Sequence, residues 1–180
     1  MLISARKASH LLARDGVSPC TALQVLAAGL AGEPIHTSAM DLYEHERVAE
    51  LAARPSVWWP EADQLCPPGF FLSRRSFPAT AQRADQVAAL SGEWGSVSPW
   101  RWVVMHHRLT KHGSFPFVAT VGGLVVLGAD IVETRGCSEL VLEEPGAWFR
   151  GWQGRWFPTG RGRPWVLNLP APVAPEKIAA

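Results

Sequence analysis

The sequence predicts an α+β protein in two parts: helices with a small wing over residues 1–54, then a Trp-rich part with two helices and an antiparallel sheet. Three observations carry this prediction. Helical spacing with cap and stop signals runs through the first 54 residues. Apolar, β-branched runs flank the dipeptide Gly122-Gly123 further along the chain. Seven of the nine tryptophans lie at or after Trp94, so the aromatic bulk belongs to the second part.

Taken in order, Ala5, Ala8, Leu11 and Leu12 follow helical periodicity with Ser4 as N-cap and Gly16 as stop, which predicts a first helix over 5–14. Ser18 caps a second helix, and Pro19 takes its first position, where a missing N–H costs nothing. That helix runs to Gly29. A short extended piece over Ile35–Ala39, a turn, and a third helix from Glu44 to Ala53 follow, the last ended by Pro55. Residues 55–80 are rich in proline and large aromatics without a sustained period, and they are expected to be a packed linker.

Residues 81–169 form the second domain. It is expected to open with a short helix stopped by Gly92 and a longer one from Ser98 and Pro99 to Gly113. "FPFVATV" and "LVVLGADIV" are read as a hairpin turned by Gly122-Gly123, because glycine accepts positive φ without strain. "ELVLEE", "AWFRGWQGRWF" and "PWVLNL" are expected to continue the sheet. Residues 170–180 read as a mobile Pro/Ala tail.

Composition removes several function classes. Seventeen Lys+Arg against sixteen Asp+Glu give a net charge of +1, so no global field draws the chain to nucleic acid or to membrane. Three widely spaced cysteines, Cys20, Cys66 and Cys137, fit neither a disulfide framework nor a Cys-rich metal site. With no secretory signal pattern and no apolar run long enough to span a bilayer, a cytoplasmic protein is expected. Walker, G-x-S-x-G and H-E-x-x-H motifs are lacking, so the expectation is a non-enzyme with no cofactor and no metal.

The stretches "ISARKASHLLA", "GVSPCTALQVLAAGL", "EPIHTSA" and "LYEHERVAEL" together resemble the winged helix-turn-helix of MerR-type regulators and excisionases. The match is strongest over Gly16-Val17-Ser18-Pro19, Thr21 and Gly29-Leu30, and it covers under a third of the chain; the remainder resembles no family. The resemblance implies that the second helix enters a DNA major groove, packing through Ala22, Val25 and Leu26. Its outer side would then show Cys20, Thr21, Leu23, Gln24, Ala27 and Ala28, of which Thr21 and Gln24 can read a base. That side carries no cation. Phosphate contacts would have to come from Arg6 and Lys7, set in the first turn of the first helix against the macrodipole, with His36 and Thr37 of the wing adding a minor-groove contact. Double-stranded DNA is the partner this implies.

A second function class rests on the same helix. Cys20, Leu23 and Ala27 at i, i+3 and i+7 make an apolar stripe suited to a protein partner or a homodimer, so an adaptor on this scaffold is the alternative. The second domain would then sense, dimerise or dock. Arg101, Arg108 and Lys111 share one helical face and could form a second basic patch, although a solvated face is the favoured reading. His106, His107 and His112 lack ligand spacing for a metal. In "RGWQGRWFPTGRGRPW", Arg150, Arg155, Arg161 and Arg163 alternate with tryptophans; core tryptophans covered by arginine stems are favoured over a single-strand platform.

Overall fold

The computed structural model describes residues 1–158 and 162–169, and its element order is α+β. Strand β1 (Leu2–Ser4) runs straight into helix α1 (Ala5–Leu12), with the Ser4 hydroxyl accepting from the Lys7 N–H at 3.4 Å. After a tight turn through Gly16, helix α2 (Pro19–Ala27) starts on the Ser18 cap, whose Oγ accepts from the Thr21 N–H at 3.2 Å. Such a cap stabilises by about 1 kcal/mol. Strands β2 (Ile35–His36) and β3 (Asp41–Glu44) form a short hairpin, and helix α3 (His45–Ala53) closes the module. These strands make an antiparallel sheet in the order β1-β3-β2.

The stretch expected to be a packed linker has regular structure. It holds helix α4 (Trp59–Leu65) and strand β4 (Phe70–Ser73), and all four residues of β4 are buried. A strand covered on both faces shows no polar alternation, which is why it lacks a period. Helices α5 (Arg83–Ser91) and α6 (Pro99–His112) follow. Ser98 precedes α6 but makes no side-chain cap; its hydroxyl takes a hydrogen bond from Arg101 instead.

Strands β5 (Phe115–Val121) and β6 (Leu124–Arg135) are joined through Gly122 and Gly123 at φ of 56° and 91°, as the glycine pair requires. With β7 (Glu139–Glu143) and β8 (Trp165–Asn168) the sheet order is β7-β6-β5-β4-β8. It is mixed rather than antiparallel, because β4 runs parallel to β5. The expected strand in "AWFRGWQGRWF" is instead a 3-10 helix over Ala147–Gly151 followed by a turn. The tail over 170–180 lies outside the described residues.

Strand periodicity divides the core. Phe115, Phe117, Ala119 and Val121 of β5 join Leu90, Trp94, Trp102 and Met105 on one face of the sheet. Val118 joins Phe70, Leu72, Trp152 and Phe157 on the other. A third cluster belongs to the amino-terminal module and includes two residues from far along the chain, Leu124 and Trp156. Trp156 is fully buried, donates from Nε1 to the Leu51 carbonyl at 2.8 Å, and lies under the Arg14 guanidinium at 4.3 Å. The boundary at residue 54 therefore divides the sequence but not the core.

Candidate nucleic-acid interface

Helix α2 has two distinct sides. Ala22, Val25 and Leu26 are buried, and the turn of the β5–β6 hairpin presses on the neighbouring side: a Cβ on Gly122 would stand 2.6 Å from the Thr21 carbonyl oxygen and 2.9 Å from Val25 Cγ2. Cys20, Leu23, Gln24 and Ala27 remain exposed, with Leu23 at 42%. Thr21 and Ala28 are half-buried. The Thr21 hydroxyl lies 3.0 Å from that of Ser18, so this side chain belongs to the helix start as much as to the outer face.

Arg6 and Lys7 are exposed in the first turn of α1, and among the described residues neither side chain has an ionic partner. The other cations of the module are held. Arg14 donates to the Arg54 and Ala52 carbonyls at 3.0 and 2.6 Å, and burial lowers its guanidinium from the ordinary arginine value. Arg47 pairs with Glu44 at 2.8 Å and Arg54 with Glu50 at 3.8 Å. Because Asp15, Glu33, Asp41, Glu44, Glu46 and Glu50 outnumber the five cations Arg6, Lys7, Arg14, Arg47 and Arg54, the module as a whole does not attract polyanions. Among the described residues, the cations of the module that lack an ion pair or backbone partner lie at the start of α1.

The hairpin residues His36 and Thr37 also bond within the hairpin. His36 Nδ1 and Asp41 Oδ1 share a hydrogen bond of 2.7 Å across the strands. Thr37 Oγ1 donates to the Met40 carbonyl at 2.7 Å and accepts from the Met40 N–H at 3.0 Å. Both side chains staple the turn, and both residues remain exposed. Arg6, Lys7 and Gln24 are the expected contacts that stay free.

The residues of the second basic patch differ in exposure. Arg101 is half-buried with its guanidinium 5.0 Å from the Trp165 ring centre, and Arg108 is half-buried; only Lys111 is exposed. Trp152, Trp156 and Trp165 are buried, so they offer no stacking platform. Arg155 forms a bidentate pair with Glu61 at 2.6 and 3.0 Å, and Arg161 lies outside the described residues. Among the described residues no group of three His, Cys, Asp or Glu side chains could hold a metal ion, and no helix is long and apolar enough to cross a membrane.

The carboxyl half of α2 and the loop over 74–80 enclose a cleft of about 520 Å³. Its sequence signal is Arg74-Arg75 within "LSRRSFP", two adjacent cations in a stretch read as linker. No protein-family model, curated protein or solved structure matches the chain.

Proposed function

We propose that the chain is a DNA-associated accessory or regulatory protein, with α2 presented to a major groove and Arg6 and Lys7 set on flanking phosphates. The observation that carries this reading is the pair of unpartnered cations on the start of α1, a place where the helix dipole disfavours them and an anion would be favoured. The order α1, turn, α2, hairpin, α3 supports it, being the order that the resemblance to MerR-type regulators and excisionases implies. The outer face of α2 also carries no carboxylate to repel a duplex.

Magnitude defines the role. Two phosphate contacts release about two counterions, far fewer than the six to ten of a strong stand-alone binder. The chain is therefore an accessory contact that works beside other DNA-bound surfaces or as more than one copy. Arg6→Ala with Lys7→Ala should weaken duplex binding for every sequence, and Gln24→Ala should relax sequence preference.

A specific observation favours the second reading, an adaptor. Cys20, Leu23 and Ala27 are exposed together on α2, and of the exposed residues there Gln24 alone carries a side-chain amide. Leu23→Asp separates the two. It should abolish partner binding if this face docks protein, and it should leave the Arg6/Lys7-dependent DNA contact measurable if it does not.

A further inference from the structure

We propose that β8 is a docking edge for a second copy of this chain, the two β8 strands pairing antiparallel about a two-fold axis at Leu167. In the order β7-β6-β5-β4-β8, strand β8 ends the five-stranded sheet, so one of its sides meets no other strand. The register decides which groups that side presents. The Arg74 N–H donates to the Pro164 carbonyl at 2.7 Å, and Leu72 stands opposite Val166 and Phe70 opposite Asn168, so these alternate residues bond toward β4. The N–H and C=O groups of Trp165, Leu167 and Leu169 therefore point away from β4. Among the described residues none of them has a hydrogen-bond partner elsewhere.

Exposed strand edges are ordinarily blunted by charge. The opposite edge of the sheet is: β7 reads ELVLE, and a two-fold pairing about Val141 would set Glu139 against Glu143 of the second copy. In contrast, β8 reads WVLN and carries no charge. A two-fold axis at Leu167 sets Leu167 against itself and Trp165 against Leu169, which satisfies every outward-facing backbone group with apolar cross-strand pairs. Trp165 and Leu167 pack toward Phe117 and its neighbours, and Leu169, 37% exposed, continues their row by the strand period. This self-complementarity selects a second copy over a strand of another sequence.

Charge at the ends of the pairing supplies a directional test. The Arg101 and Arg163 guanidinium groups lie 5.0 and 5.8 Å from the Trp165 ring centre, so a residue opposite Trp165 stands beside two cations. In the pair, that residue is Leu169 of the second copy. A strand of four residues makes an interface at the small end of the usual range, so a dissociation constant of about 10 μM is expected.

The test is sedimentation equilibrium of the full chain, with amide hydrogen exchange measured above and below the dissociation constant. Exchange at Trp165 and Leu167 should slow as the concentration rises, while the Val166 and Asn168 amides stay protected throughout. Leu169 is exposed, so its substitution should keep the fold. Leu169→Lys brings an ammonium beside Arg101 and Arg163 of the second copy and should weaken the dimer by about tenfold or more. Leu169→Glu sets a carboxylate beside the same cations and should dimerise about tenfold more tightly than Leu169→Lys. Leu23→Asp, on α2 and outside the pairing, should leave the dimer intact, and a failure of duplex binding would leave all these outcomes unchanged. A monomer at about 1 mM, exchange at Trp165 and Leu167 that is independent of concentration, equal affinities in Leu169→Lys and Leu169→Glu, or a dimer lost in Leu23→Asp would overturn the proposal.

Discussion

Replacing Trp156 by alanine should unfold the amino-terminal module and the five-stranded sheet together. Trp156 is fully buried within the cluster that contains Leu12, Val25 and Leu51, while its own N–H and carbonyl pair with Pro55 and Val57 at 2.9 and 2.7 Å. Truncating a buried tryptophan costs about 3–5 kcal/mol in lost transfer energy and residual cavity. The Leu51 carbonyl would lose its Nε1 partner, adding about 1 kcal/mol, and Arg14 would lose the ring beneath it. Against a total stability of about 5–15 kcal/mol, this is about a quarter of the whole or more. Urea unfolding should be followed by far-UV circular dichroism and by the amide signals of α1 and of β5 separately. In the wild type both probes should give one midpoint, and in Trp156→Ala both should shift by the same large amount. Trp156→Phe, which keeps most of the ring but not the N–H, should cost about 1–2 kcal/mol. Separate midpoints in the wild type, or a loss below about 1 kcal/mol in Trp156→Ala, would refute the shared core.

Three further outcomes follow from the same contacts. Gly122→Ala would put a Cβ 2.6 Å from the Thr21 carbonyl oxygen at φ 56°, so it should destabilise by about 2 kcal/mol or more, and Gly122→Val with Gly123→Val should prevent folding; a wild-type midpoint in either would contradict the packing of the hairpin on α2. The side-chain hydrogen bond from Arg155 holds the Glu61 carboxyl below its usual range, so the pair stabilises above the unfolded carboxylate pKa and is lost as pH falls through the depressed folded value. Glu61→Gln should be less stable than wild type at neutral pH, with the gap closing below about pH 4, and a gap independent of pH would argue against the pair. Burial pushes the Cys66 thiol up to about 12, whereas Cys20 and Cys137 are exposed. A thiol reagent should therefore modify Cys20 and Cys137 in the folded chain and reach Cys66 only on unfolding, an order that mass mapping of the labelled peptides checks directly.

The parts of the fold legible in the sequence are those set by near neighbours. Ser4 and Ser18 cap helices through hydroxyl contacts three residues away, and Gly122-Gly123 turns a hairpin because its φ values demand it. Long-range pairings left no such mark. Strand β4 lies between β5 and β8 through partners far along the chain, so "FFLS" read as apolar linker. Trp156 reaches Leu51 across 105 positions, which no local period could signal. The candidate site was legible to the same extent: the exposed face of α2 follows from its 3.6-residue period, whereas the His36–Asp41 pair needed the register of β2 on β3 before its stapling role became visible.

The slope of duplex-DNA affinity against salt tests the central claim most directly, because it counts the phosphates engaged. For the full chain on a short duplex, log K should fall against log salt with a slope of about −2, which is two contacts at about 0.9 each, and Arg6→Ala with Lys7→Ala should bring the slope close to zero. No measurable duplex binding at low salt, or a slope that the double substitution leaves unchanged, would contradict it.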